Sequence, residues 1–204
     1  MKKLLLFVAT GIVLSLTTTA QMPVNWTEQD RTYLVTELTR SRDELIRETK
    51  GLSEKQWNFK ESPERWSINQ IVEHLSIWEL LFQREISQAM AGGPQPALQQ
   101  KQQPDSVKLR FLKEERPHIT TEYTKPFTFS VPMGINQGQN NLTWFLKMRN
   151  ESLSYLSTTR EDLRAYYLKE GRGSIHQIYI STFGHTDRHL RQIRKIKAHP
   201  QYPK

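Results

Sequence analysis

Four long segments of this chain carry apolar residues at spacings of three and four, which is the period of an amphipathic helix. In the second segment these positions are Ile68, Ile71, Leu75, Trp78 and Phe82. The segment begins with Ser67 and Gln70, whose types and spacing match the two partners of a capping box. Four such segments and no convincing strand predict an all-α fold built as a four-helix bundle.

Cap residues and helix breakers set the expected limits of the four helices. The predicted helices run from Thr27 to near Gly51, from Ser67 to Gly92, from about Asn141 to about Leu156, and from Ser174 to about Lys197. The residues three positions after Thr27 and Ser174 are of the types that complete a capping box, so one is predicted at each start. A single helical turn is predicted at 53–56, before Trp57.

Residues 94–140 are the least regular part of the predicted domain. Pro94, Pro96 and Pro104 interrupt this segment, and Asp105 is expected to cap a short helix within it. A loop this long in a compact domain is usually functional. We interpret the segment as a long irregular crossover between the second and third long helices that also covers another, unspecified part of the molecule.

The first twenty residues have the three-part layout of a secretory signal. A basic start, Met1 to Lys3, precedes an apolar run from Leu4 to Leu16, and small polar residues then lead to Ala20. The apolar run is shorter than the stretch of about 20 residues that spans a bilayer. We therefore expect cleavage near Ala20, a periplasmic or secreted location, and no stable membrane insertion of the mature chain. An uncleaved membrane anchor is the alternative.

The composition narrows the class of protein further. The chain has no cysteine, which excludes disulfide bonds, thiolate metal sites, a cysteine nucleophile and a lipid-modified cysteine. Its 204 residues, 36% of them hydrophobic, fit one folded domain, which we expect over residues 24–204. The last turns of the fourth helix carry Arg188, Arg191, Arg194, Lys195 and Lys197. These cations complement the helix dipole, so no nucleic-acid partner is expected.

Two histidines occupy consecutive inward positions of the fourth helix. The inward positions are Ile178, Thr182, His185, His189, Ile193 and Ile196. Residues four apart share a helix face, so His185 and His189 are spaced to hold one metal ion. His74 has a similar inward position in the second helix, between Ile71 and Trp78. Three inward imidazoles need polar partners, and a shared cation is the simplest one. On spacing alone, hydrogen-bonded core histidines remain the alternative.

The segment 185–189 has the outer spacing of the H-E-x-x-H zinc-protease motif but lacks its glutamate. Asp187 lies about 200° around the helix from both histidines, which makes it a poor general base and disfavours protease chemistry. Near His74, Gln70 and Glu73 are candidates for a supporting role beside the metal. The other histidines are interpreted as surface residues or loop contacts: His118, His176 and His199.

Two short segments resemble the motifs of one known family. Residues 66–75 read Trp-Ser-Ile-Asn-Gln-Ile-Val-Glu-His-Leu, with a tryptophan and a capping residue before a helix that bears one histidine. Residues 184–193 read Gly-His-Thr-Asp-Arg-His-Leu-Arg-Gln-Ile, with paired histidines. Together they are similar to the second-helix and final-helix motifs of the DinB/YfiT-like superfamily. The resemblance covers essentially residues 24–204.

The resemblance implies a four-helix bundle of up-up-down-down type, with a divalent metal ion held by His74, His185 and His189. It also implies a metal-dependent hydrolase or transferase. Three protein ligands leave an open position, so a metal-bound water is the expected nucleophile. All-nitrogen ligation suits zinc, nickel, iron or copper, and the sequence does not choose among them. Some relatives transfer low-molecular-weight thiols, but export and the long crossover disfavour that reaction here.

Two other functions stay open at this point. One is a non-catalytic bundle of the cell envelope that binds a metal or another small ligand. The other is an envelope interaction module that uses the basic end of the fourth helix. The small-molecule substrate of an enzyme is left unspecified, and a homodimer is compatible with a bundle of this kind.

Overall fold

The computed structural model describes residues 26–99, 101–114, 129–168 and 173–204. The predicted signal segment, residues 1–20, and His118 lie outside these described residues. The described helices are α1 (Glu28–Thr49), α2 (Glu54–Asn58), α3 (Ile68–Ala91), α4 (Pro96–Gln99), α5 (Asp105–Lys113), α6 (Gly138–Thr158) and α7 (Ile175–Lys197). The same residues contain no strand, only two isolated bridges, which confirms the all-α class. None of these helices is both long and apolar enough to cross a membrane.

The four long helices α1, α3, α6 and α7 form the predicted four-helix bundle. Helices α1 and α3 each pack against both α6 and α7, so they lie diagonally across the bundle. Asn141 near the start of α6 donates a hydrogen bond to Asn69 near the start of α3. Tyr155 near the end of α6 donates one to the sulfur of Met90 near the end of α3. Helices α3 and α6 therefore run parallel.

The directions of α1 and α7 complete the topology. Arg194 near the end of α7 pairs with Glu44 and Glu48 near the end of α1, so these two helices are also parallel. Arg31 near the start of α1 donates to the carbonyl of Leu156 near the end of α6, so α1 and α6 are antiparallel. The order of directions is up-down-down-up, which corrects the predicted up-up-down-down order.

The connections explain this order. The segment 50–67 folds locally between α1 and α3. The turn predicted at 53–56 is the start of α2, where Ser53 and Gln56 form a capping box, and Trp57 packs into the core. The chain therefore turns back at the same end of the bundle, and α3 runs against α1. The long connection 92–137 instead carries the chain back along the bundle, so that α6 begins beside the start of α3.

The buried core consists of two apolar clusters. The first includes Leu34, Leu38, Trp78, Phe82, Leu156, Ile178 and Phe183. The second includes Leu45, Ile71, Leu75, Phe145, Leu190 and Ile193. Buried polar side chains from all four long helices lie at the boundary between the clusters: Ser41, Glu79, Arg149 and Thr186. Buried polar groups need hydrogen-bond partners, and these residues are joined by hydrogen bonds from the guanidinium of Arg149.

Two of the three capping boxes predicted from the sequence are present in the structure. The capping boxes predicted for α1 and α3 are confirmed. The box predicted at Ser174 is wrong, because the hydroxyl of Ser174 accepts a hydrogen bond from Gln102 at 3.2 Å. Gln177 turns away from Ser174 and donates to Asp105 at 2.9 Å. The first backbone N–H groups of α7 instead donate to carbonyls of the preceding segment, Ile175 to Tyr166 at 3.0 Å and His176 to Leu163 at 3.1 Å.

The crossover packs on the bundle through α5, which contacts α7. Leu112 of α5 lies against Gly184 of α7, where an added Cβ would be 2.5 Å from Leu112 Cδ1. A larger residue at this position would require Leu112 to shift. Arg191 donates to the carbonyl of Leu112 at 3.2 Å. The capping role predicted for Asp105 is wrong, because Pro104 occupies the N-cap position and makes no side-chain bond.

Basic side chains near the end of α7 form ion pairs with carboxylates of α1. Arg194 pairs with Glu44 at 2.6 Å and with Glu48 at 2.8 Å. Lys197 pairs with Glu48 at 2.8 Å. These ion pairs join two parallel helices, in addition to any interaction with the helix dipole.

Candidate metal centre

Three histidines meet between α3 and α7. The Nε2 atom of His185 lies 3.2 Å from Nε2 of His74 and 3.1 Å from Nε2 of His189. The α-helical period places His185 and His189 on one face of α7, and the packing of α3 on α7 brings His74 to them. The structure thus brings together the three histidines that the sequence singled out.

The outer ring nitrogens of two histidines determine where their protons lie. Nδ1 of His74 is 2.5 Å from the carbonyl oxygen of Ser130, which only accepts, so Nδ1 carries the proton. Nδ1 of His189 donates in the same way to Oε1 of Gln192 at 2.8 Å. In the neutral rings, both Nε2 atoms therefore hold lone pairs. Nε2 of His185 faces both of these lone pairs. When it carries a proton, it can donate to only one of them.

A divalent cation fits this arrangement, because it accepts all three lone pairs. Two nitrogens that each lie about 2.0–2.1 Å from a tetrahedral zinc ion are about 3.3 Å apart, close to the observed 3.1 and 3.2 Å. Outer nitrogens hydrogen-bonded to protein oxygens are typical of histidines that bind metals. Among the described residues no fourth histidine or carboxylate joins the group, which leaves an open position.

Burial keeps the histidines of α7 in their neutral form. The pKa values of His185 and His189 are lowered well below the usual 6.5, chiefly because burial removes the hydration of a charged ring. Repulsion between neighbouring rings, if protonated, lowers these pKa values further. The hydrogen bond from His189 to Gln192 opposes this shift and is outweighed. At neutral pH both rings therefore offer a lone pair.

Aromatic side chains surround the histidines. The ring centroid of Trp66 lies 4.9 Å from that of His74. Trp78 and Phe82 lie against His185, with centroid distances of 5.4 and 6.1 Å. An apolar shell of this kind limits the access of water and lowers the local dielectric, which strengthens the attraction between an ion and its ligands.

The acids nearest the histidines have other partners. Asp187 makes a two-point salt bridge with Arg40 at 2.7 and 3.0 Å and faces away from the histidines, as its helical position predicts. Glu79 pairs with the buried Arg149. Glu73 accepts two backbone N–H groups of the loop that precedes α6. In the described part of the chain, none of these three acids is placed as a general base.

Two further predicted residues lie outside the histidine cluster. Gln70 makes no hydrogen bond to the three histidines among the described residues, and its Oε1 accepts the backbone N–H of Ser67 at 3.2 Å. Its supporting role beside a metal therefore stays a prediction. His199 packs on Phe59 with a centroid distance of 5.5 Å, which agrees with its interpretation as a loop contact.

The interpretation of His176 as a surface residue is wrong, although its contacts with Trp26 and Arg164, which lie outside the helices, agree with a loop contact. His176 is only 1% exposed, and its Nδ1 accepts a hydrogen bond from Trp26 at 3.1 Å. Its Nε2 lies 3.2 Å from a carboxylate oxygen of Asp105. Arg164 bridges Asp105 and Asp30. Because these contacts join the starts of α1, α5 and α7, His176 has a structural role.

Two residues at the site escaped the sequence reasoning. Gln192 follows His189 by three positions and so shares its helix face, which is a signal present in the sequence. Ser130 contributes its backbone carbonyl, a group that every residue carries, so no side-chain pattern points to it.

A four-helix bundle with three histidines converging between two helices defines a class of candidate metalloproteins. The family model of the DinB superfamily matches residues 37–193, which include all three histidines. The chain belongs to the DinB superfamily, which confirms the resemblance seen in its motifs.

A search of the curated proteins found no match. Among solved structures, YfiT from Bacillus subtilis is described as a probable metal-dependent hydrolase with an unusual four-helix bundle topology. It is 12% identical, with a TM-score of 0.49 over 84% of this chain and 87% of that chain.

Proposed function

We propose that the protein binds one divalent metal ion through His74, His185 and His189 and uses it in hydrolysis or group transfer on a small-molecule substrate. The observation that carries this proposal is the convergence of three Nε2 atoms, two of which are fixed as lone pairs by hydrogen bonds at Nδ1. When bound at three neutral imidazoles, such an ion acidifies a water molecule and polarises a substrate oxygen.

The protein's own residues supply orientation and shielding. Ser130 and Gln192 hold two rings with their Nε2 atoms turned inward. Trp66, Trp78 and Phe82 line the histidines with apolar surface. Since no nearby acid of the described residues is placed as a base, we assign no catalytic residue beyond the three ligands.

We expect the metal-loaded protein to turn over a substrate in a panel of esters, amides and phosphoesters. The activity should disappear on chelation and return when one equivalent of the ion is added back, because the ion supplies the electrophile. Turnover is followed with chromogenic substrates while mass spectrometry measures metal content. A protein that holds no metal after reconstitution would contradict the proposal. Metal binding without turnover in the panel would favour the alternative below.

The second candidate function is a non-catalytic bundle that binds a metal or another small ligand in the cell envelope. One specific observation favours it: the acids closest to the histidines already have partners, Asp187 with Arg40 and Glu79 with Arg149. A metalloenzyme that lacks a nearby base must rely on the ion alone to activate its nucleophile.

We also propose that the protein acts outside the cytoplasm. The basic, apolar and small-residue layout of residues 1–20 supports this proposal, and it favours hydrolysis over transfer of cytoplasmic thiols. When the full-length chain is produced in a secreting bacterial host, its mature form should begin near Gln21. Intact mass and N-terminal sequencing measure this directly, and retention of residues 1–20 in the exported fraction would refute cleavage.

A further inference from the structure

One loop connects a glutamate of α3 to a histidine of the candidate metal centre. Glu73 directly precedes His74 and accepts two backbone N–H groups, from Met133 at 3.2 Å and from Gly134 at 2.6 Å. Hydrogen bonds to a carboxylate are roughly twice as strong as those between neutral groups. Earlier in the same loop, the carbonyl of Ser130 accepts from Nδ1 of His74.

These contacts form a closed path of covalent bonds and hydrogen bonds. The path runs from the backbone of α3 through the Glu73 carboxylate to the loop 130–134, and returns through the Ser130 carbonyl to the imidazole of His74. Neighbouring residues of one rigid helix thus hold both ends of a short stretch of chain. Glu73 ties residues 133 and 134 to α3, and Asn69 of the same helix holds the carbonyl of Asn136 at 2.9 Å just beyond them.

The side chains of the loop do little to fix its position. Met133 and Ile135 are 77% and 76% exposed, although Pro132 is buried. Among the described residues, the buried hydroxyl of Ser130 finds no hydrogen-bond partner, which is unfavourable. Gly134 has a φ of 71°, in the left-handed region that favours glycine. The loop is therefore held mainly by hydrogen bonds between its backbone and side chains of α3.

We infer that Glu73 is a positioning residue for the metal centre, holding the Ser130 carbonyl on Nδ1 of His74 through this loop. The contact keeps the proton on Nδ1 and the lone pair on Nε2, the nitrogen that faces the other histidines. Without it, His74 populates the tautomer whose Nε2 carries a proton and cannot bind an ion. This inference rests on the proposed function, because it concerns the readiness of His74 to bind metal.

The variant Glu73→Ala should lower the affinity for Zn²⁺ by roughly 10–100-fold, as expected when a supporting contact of a ligand is removed. Competition against a chromophoric chelator measures this affinity, and far-ultraviolet circular dichroism checks the fold. A second readout needs no metal: ¹⁵N NMR of the metal-free protein reports the tautomer of His74. The wild type should show the proton on Nδ1, and Glu73→Ala should show a mixture.

Two further variants distinguish an effect of Glu73 on the position of the loop from an effect of its negative charge on the bound ion. Gly134→Ala keeps the Glu73 carboxylate but strains the loop, so it should move both readouts in the same direction by a smaller amount. Glu151→Gln removes an exposed glutamate of α6 and should move neither. A loss of zinc affinity in Glu73→Ala with an unchanged tautomer and no effect of Gly134→Ala would show that Glu73 acts by charge, and would overturn the inference.

The inference fails separately from the proposed function. Wild-type affinity and a wild-type tautomer in Glu73→Ala would overturn the inference while leaving the metal site intact. If the wild type bound no Zn²⁺ at all, the proposed function would fall. The tautomer of His74 in the metal-free protein would then still decide whether Glu73 positions this ring, and a mixture in the wild type would refute it.

Discussion

Metal content should fall from about one equivalent in the wild type to none in His74→Ala and in His189→Ala, while both variants keep their helical content. Each change removes one of three ligands, so the loss of affinity should exceed the roughly 10–100-fold that a supporting residue contributes. Mass spectrometry after desalting measures the metal. A second measure is the melting temperature, which Zn²⁺ should raise only in a protein whose folded state binds it.

The same site makes metal binding depend on pH in a defined direction. Protons compete with the ion for the lone pairs of the imidazoles. Because the pKa values of His185 and His189 are lowered, these rings stay neutral as the pH falls through the usual value of 6.5. Metal should therefore be retained somewhat below pH 6.5 and released on stronger acidification.

His199→Ala is the matched control for the ligand variants. His199 packs on Phe59 near the end of the chain, away from the three histidines, so this variant should keep one equivalent of metal. Full metal retention in either His74→Ala or His189→Ala would refute the three-histidine site.

The candidate site was accessible from sequence because its ligands are set by local helical geometry. The spacing of His185 and His189 places both rings on one face of α7, whatever the rest of the chain does. His74 lies on the inward face of α3. Inward faces of packed helices contact each other whether the helices run parallel or antiparallel. The fold class followed from the same periodicity and from cap residues such as Ser67.

The features that sequence analysis predicted wrongly depend on contacts between distant segments. The direction of α3 depends on a connection that Trp57 anchors in the core. His176 lies off the apolar stripe of α7, yet Trp26 and Asp105 cover it from other elements. The first backbone N–H groups of α7 donate to the carbonyls of Tyr166 and Leu163, in place of a side-chain cap. Helical periodicity carries no information about these partners, because it describes one element at a time.

Arg149 is the clearest case of a residue whose place in the core no local pattern reveals. It is fully buried and makes a two-point ion pair with Glu79, at 2.5 and 3.0 Å. It also donates to the carbonyl of Leu38 and to the hydroxyls of Ser41 and Thr186. One guanidinium thus joins all four long helices at the boundary between the two apolar clusters.

Replacing this residue should have the largest effect on stability. Arg149→Leu is expected to lower the free energy of unfolding by about 3–5 kcal/mol, because it leaves the carboxylate of Glu79 buried without a counter-charge. That is a large part of the roughly 5–15 kcal/mol typical of a folded protein. Urea unfolding measures it. Arg160→Leu, at an exposed position, is the matched control and should stay within about 0.5 kcal/mol of the wild type.

A double variant identifies the source of the loss. Arg149→Leu combined with Glu79→Leu removes both charges, so it should be more stable than Arg149→Leu alone, because no buried carboxylate remains unpaired. Ser41 and Thr186 keep hydrogen bonds to carbonyls of their own helices, and their hydroxyls therefore stay satisfied in the double variant. If the double variant were as unstable as Arg149→Leu, the bridging hydrogen bonds of the guanidinium, and not the ion pair, would hold the centre of the bundle together.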